Sequence, residues 1–123
     1  MKRISLDDMS VEELVDRFAS ICIAQDQALL YSNIAKFNRH FDQMRETDRQ
    51  LKSRPGDQRR ALLSLYDHEN AQVRLQAARV TLAVEPEKAR KLIEEIANGR
   101  KFPQAGDAGM TIVNLDRGVF KPS

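Results

Sequence analysis

Three side chains in this sequence could hold a soft metal or serve as nucleophile and base: Cys22, His40 and His68. Zinc needs several such ligands at short, regular spacing, and no C-x-x-C or H-x-x-x-H pattern occurs. Cys22 falls on an apolar stripe, where a buried, inert thiol is the expected state. A Cys-His couple would require separate elements to converge, and nothing in the spacing asks for that. His68, between Asp67 and Glu69, is expected in an exposed turn. Asp7-Asp8, Glu12-Glu13 and Glu94-Glu95 are adjacent carboxylates. Neighbours on a helix point about 100° apart, so they do not form acid-base dyads. Gly106-Asp107-Ala108-Gly109 lacks the lysine of a phosphate loop and reads as a turn and cap. These residues predict no catalysis, no metal and no cofactor.

The remaining chemistry is charge. The 123 residues carry a net charge of +2, unevenly distributed. Residues 1–35 are net −3, with Lys2, Arg3 and Arg17 against Asp7, Asp8, Glu12, Glu13, Asp16 and Asp26. Residues 36–101 hold 15 basic and 10 acidic side chains, hence +5. Arg54, Arg59, Arg60, Arg74, Arg79, Arg90, Lys91, Arg100 and Lys101 could line one side of a helical stack and face phosphate. Tryptophan is absent, and most Phe and Tyr residues fall on core stripes. Platforms for stacking bases are therefore missing, and nucleic acid is disfavoured as a partner.

Those side chains must be positioned by helices. Ser10-Val11-Glu12-Glu13 is a capping box. The helix it opens carries Val11, Leu14, Val15, Phe18, Ile21, Cys22 and Leu29 on one stripe and is predicted to run to Tyr31. Gln25 shares that stripe and is expected at its margin. Ser32-Asn33 offers a second cap. Ile34, Phe37, Phe41, Met44 and Leu51 then form a heptad-like seam interrupted by Asp48, suited to packing within the chain or against a second copy. Arg54-Pro55-Gly56-Asp57 stops that helix, and Asp57 can cap a third, over residues 57–66.

Residues 71–84 predict a helix apolar on two faces: Val73, Ala77, Val80 and Val84 on one, Ala71, Leu75, Ala78 and Leu82 on the other. Such a helix has neighbours on two sides. Gln72, Gln76 and Arg79 lie on one flank between those faces, with Arg74, Thr81 and Glu85 on the other. Pro86 suits the first turn of the next helix, whose stripe is Ala89, Leu92, Ile93, Ile96 and Ala97, closed by Asn98-Gly99. In the tail, residues 102–123, Asp107 as cap, Ala108, Ile112, Leu115 and Val119 in phase, and Gly118 as a stop predict a short final helix; the alternative is a strand over residues 110–115.

Leu62, Leu63 and Leu65, the turn at Asp67, Val73-Arg74, Ala77-Ala78, Leu82, and then Ala89, Leu92 and Ile96 resemble a HEAT-type helical repeat, clearest over residues 57–97. The resemblance implies structural roles for Asp67, Val73, Arg74, Ala77 and Ala78, with Asp67 and Arg74 joining turns and adjacent units. Val84-Glu85-Pro86 replaces the glycine usual after the second helix. The plan also resembles a family of small bacterial helical proteins catalogued as a domain of unknown function. Some small HEAT-like bacterial proteins are suspected of acting as accessory or immunity proteins that bind another protein.

The expected architecture is all-α: one domain, residues 1–123, built as a compact right-handed stack of antiparallel helix pairs (HEAT-like or armadillo-like) with five to six helices. The expected function is non-catalytic binding of another protein, with the chain monomeric or homodimeric. Gln72, Gln76 and Arg79 are the expected interaction surface. The alternative function is weak binding of nucleic acid. MKRISLDD lacks the apolar segment of a secretory signal, no apolar run reaches the ~20 residues of a membrane span, and a lone cysteine suits a reducing compartment, so a cytoplasmic location is expected.

Overall fold

A computed structural model describes residues 5–123; Lys2 and Arg3, which enter the charge balance and the reading of the N-terminal segment, lie outside the described residues. Among the described residues there are five α-helices: α1 (Val11–Leu30), α2 (Ile34–Ser53), α3 (Ala71–Thr81), α4 (Pro86–Ala97) and α5 (Gln104–Asp116). Two 3₁₀ segments join them, Leu6–Asp8 and Gln58–Leu65. Among the described residues there is no strand, so the tail is helical and the strand alternative is excluded. The chain divides into two compact units at Ala61–Leu62.

The first unit is a helical hairpin. Ser10 and Glu13 form the expected reciprocal capping box, each side chain 3.1 Å from the other's backbone nitrogen. Asn33 caps α2 by accepting from the Lys36 N–H at 3.1 Å. Ser32, held at φ 53°, makes the tight turn between the helices. Leu14, Val15, Phe18, Ile21 and Cys22 of α1 are buried, as are Met44 and Leu51 of α2. Gln25 is fully buried rather than marginal, and its amide nitrogen donates to the Met44 sulfur at 3.5 Å. Thr47, outside the expected seam, is also buried and donates to the Gln43 carbonyl, which satisfies its hydroxyl within the helix. The guanidinium of Arg54 reaches back to the carbonyls of Leu6 and Met9, at 3.1 and 2.7 Å, fastening the end of α2 to the segment before α1.

Residues expected to form a third α-helix are instead a 3₁₀ segment, Gln58–Leu65. Eight residues are few for a cooperative α-helix, and i→i+3 bonds serve short connectors. Asp57, at φ 53°, caps this segment by accepting from the Arg59 backbone N–H at 3.3 Å, and the same carboxylate also clasps the Arg59 guanidinium.

In the second unit, Asn70 caps α3 by accepting from the amides of Gln72 and Val73. Both predicted faces of α3 are occupied: Val73, Ala77, Leu75 and Ala78 are fully buried. Leu75, Ala78 and Leu82 pack with Ala89, Ile93 and Ile96 of α4 and Ala108 of α5. Alanine at positions 78, 89 and 108 lets the three helices approach closely. Pro86 occupies the first turn of α4, and Asn98 ends it. α5 starts earlier than expected, at Gln104, with Pro103 in the cap position and Asp107 already inside the first turn. Gly118, at φ 71°, ends the chain's last helical turn as expected.

Candidate interaction surface

The flank of α3 expected to face a partner is interior. Gln72 is 1% and Gln76 3% exposed. The sequence separates these polar residues from the apolar faces, but α5 packs along the same side. The amide of Gln104 donates to Gln72 at 3.0 Å, a buried side-chain pair that spares both groups an unmet hydrogen bond. Arg79 donates to Thr111 Oγ1 at 2.7 Å and pairs with Asp107. Thr111 in turn donates to the Asp107 carbonyl. Gln72 and Arg79 therefore belong to the joint between α3 and α5, and Gln76 on the same flank is buried, so the flank does not stand free as a docking face. The sequence signal was present in Asp107 and Thr111, which sit four residues apart on one side of α5.

At the positions marked by the repeat resemblance, Val73, Ala77 and Ala78 are fully buried. Arg74 is half-buried and donates to the His68 carbonyl at 2.6 Å, tying the start of α3 to the turn before it. Asp67 is exposed, and the capping of α3 falls to Asn70. His68 is held by its ring: Nδ1 accepts from the Asn70 backbone N–H at 3.0 Å.

Two hydroxyls escaped the sequence reading. Tyr66 is hydrogen-bonded to Thr81, which itself donates to the Ala77 carbonyl at 2.7 Å. The Thr81 proton is thus committed, so the Tyr66 hydroxyl is the donor in their contact. Burial raises the Tyr66 phenol above its ordinary pKa. Thr81, expected on a flank of α3, is fully buried.

Cys22 lies buried among apolar side chains, and burial pushes its thiol far above the usual cysteine range. Such a thiol is a poor nucleophile, because the thiolate is the reactive form. His40 Nδ1 lies 3.0 Å from the Gln43 side-chain oxygen on the same helix. Among the described residues no group of three or more His, Cys, Asp or Glu side chains could hold a metal ion. No helix among them is long and apolar enough to cross a membrane.

Several of the cations named above for a phosphate-facing stripe are already engaged. Arg54 holds two carbonyls. Arg59 is buried against the Asp57 carboxylate, 2.7 Å away. That guanidinium holds the Asp57 carboxyl below its ordinary pKa. Asp48 in α2 is shifted the other way, upward by burial, with Arg59 and Lys52 opposing. Arg79 serves α5, and Arg90 pairs with Asp116 at 2.8 Å.

The most conspicuous unpartnered apolar surface is at the apex of the α1–α2 hairpin. Leu30 and Tyr31 are 78% exposed and Ile34 73%. Below them, Phe37 and Phe41 stack with ring centroids 6.4 Å apart. Leu29 and Ile34 were expected to point inward. Both lie at the turn between the end of α1 and the start of α2, where the side chains stand in solvent. Large apolar side chains clustered in water mark an interaction surface more often than a neutral one.

Among curated proteins, none matches the chain. A solved structure does: the crystal structure of the protein RPA1889 from Rhodopseudomonas palustris, 52% identical, with a TM-score of 0.93 over 98% of this chain and all of the other. At that identity and TM-score the two share the fold. The chain belongs to the family described as a domain of unknown function, DUF2019, whose profile matches residues 12–116.

Proposed function

We propose that this protein is a non-catalytic, cytoplasmic protein-interaction module of HEAT-like build, acting as an accessory or immunity-type protein. The observation that carries the reading is the apex of the α1–α2 hairpin. Leu30, Tyr31 and Ile34 are placed in solvent by a turn that Asn33 caps and Ser32 tightens, so the exposure belongs to a well-formed element. Tyrosine beside aliphatic side chains suits recognition of another protein, because its ring offers apolar area and its hydroxyl a hydrogen bond. The repeat-like features support the HEAT-like part: the buried Val73, Ala77 and Ala78, and an Arg74 that fastens a helix to its preceding turn. The alternative, weak binding of nucleic acid, loses support because Arg54, Arg59, Arg79 and Arg90 are spent on internal contacts.

The test is comparative affinity capture from the native cell extract with quantitative mass spectrometry. Three baits are used: the wild type, the triple variant Leu30→Glu, Tyr31→Glu, Ile34→Glu, and Glu46→Lys, which alters an exposed charge on α2 away from the apex. A partner held by the wild type and by Glu46→Lys should be lost from the triple variant. Equal recovery on all three baits would remove the apex as the binding surface.

A further inference from the structure

A second surface, in the other unit, carries a more specific chemistry. Between the start of α3 and the end of α4 lies a groove of about 310 Å³. Its floor is aliphatic, made by Ala71, Leu92 and Ile96. Its rim carries Arg74, Arg100 and Lys101 against one carboxylate, Glu95.

These cations differ from two other arginines of the unit. Arg79 and Arg90 each have a carboxylate partner from α5. Arg74 spends one nitrogen, Nη1, on the His68 carbonyl, which fixes its guanidinium without neutralising it. Among the described residues, no carboxylate pairs with Arg74, Arg100 or Lys101. The residues after α4 present Arg100 and Lys101 just where the groove opens.

From this we infer that the groove is a binding site for an acidic peptide segment with one apolar anchor, supplied by a partner protein. The volume is at the small end of the ~300–1,000 Å³ usual for ligand clefts. It suits a single leucine-sized side chain on the floor with flanking carboxylates on the rim. Arg74 is the pre-ordered element: a held guanidinium loses little freedom on meeting a carboxylate, and it presents a planar fork to it. Arg100 and Lys101 add field and on-rate more than fixed geometry. A nucleic acid fits the same charge less well, because the floor offers aliphatic side chains where bases would need aromatic faces. The inference extends the interaction-module reading to a second surface and rests on it, while using none of the apex residues.

The experiment is a titration of the ¹⁵N-labelled full chain at ~0.15 M salt, where loose surface attraction is screened beyond about 8 Å. The probe is the capped peptide Glu-Asp-Leu-Asp-Glu. The controls are Lys-Arg-Leu-Arg-Lys, Glu-Asp-Ser-Asp-Glu and a twelve-residue oligothymidine. The expected result is saturable amide shifts in residues 71–74 and 92–101 with the first peptide alone. Binding should weaken about tenfold or more in the variant Arg100→Glu, Lys101→Glu, since two rim charges change sign. Both side chains are exposed, so the circular dichroism of that variant should match the wild type. The apex triple variant should bind the peptide as the wild type does, which separates failure of this site from failure of the apex. The inference is overturned if no peptide shifts those amides saturably, if the serine or the basic peptide binds equally, if the oligothymidine binds more tightly, or if the double charge reversal leaves affinity unchanged.

Discussion

The two units are built from the same kind of amphipathic helix, yet they treat their apolar side chains differently. In the α1–α2 hairpin each helix has one helical neighbour, and the seam fades toward the turn: Met44 and Leu51 are buried, while Ile34 and Leu30 stand in solvent. In the second unit α3 packs against both α4 and α5, and even its polar flank is enclosed. A stripe on a helix thus states which residues can be buried. Whether they are depends on how many elements arrive to cover them, and that number is a property of topology, not of the stripe.

The contrast can be broken most severely at Ala78. Ala78→Arg forces a charge into the closest contact among α3, α4 and α5 and should cost about 3–5 kcal/mol or unfold the unit. Ala35→Arg, on the exposed side of α2 near the apex, should be almost silent in the same thermal melts. Comparable losses from the two substitutions would erase the distinction between a covered and an uncovered helix.

Much of this arrangement could be read from residue types. Ser10 with Glu13 and Asn33 announced their helix starts, because a short polar side chain before an apolar run has few other tasks. Alternating apolar faces on residues 71–84 announced a helix with two neighbours, and both faces are buried. What could not be read was which polar flank a third neighbour would take. Gln72 and Gln76 look solvated by type, and only the placement of α5, with Gln104 opposite, turns them inward. Arg79 was likewise expected to face a partner, and it is held instead by Asp107 and Thr111 of α5. Asp57 reads as a cap and does accept from the Arg59 backbone N–H, but the segment it opens is 3₁₀, and its clasp on the Arg59 guanidinium was not legible. The candidate surfaces were the least legible part, since exposure at the apex and convergence of Arg74, Arg100 and Lys101 on one groove are both outcomes of tertiary placement.

The joint that encloses the polar flank offers a finer test. Arg79→Ala removes the bonds to Asp107 and Thr111 that hold α5 against α3. Because Asp107 is half-exposed, solvent screening limits the loss to about 1–2 kcal/mol, read as a shifted denaturant midpoint. Arg90→Ala, whose pair with Asp116 is the more exposed of the two, should shift that midpoint less. The reverse order would mean that the polar joint to α3 adds less to the stability of α5 than the Arg90–Asp116 pair to α4.

The smallest expected effect bears on the central claim, that the hairpin apex is kept apolar for a partner and not for folding. It is measured by the thermal unfolding of the purified variant Leu30→Glu, Tyr31→Glu, Ile34→Glu beside the wild type. Side chains already in solvent have little burial to lose, so the two melting temperatures should agree within about 2 °C. A fall of more than about 5 °C, the size of a loss of roughly 1 kcal/mol or more, would show that these residues stabilise the fold itself and would contradict the account.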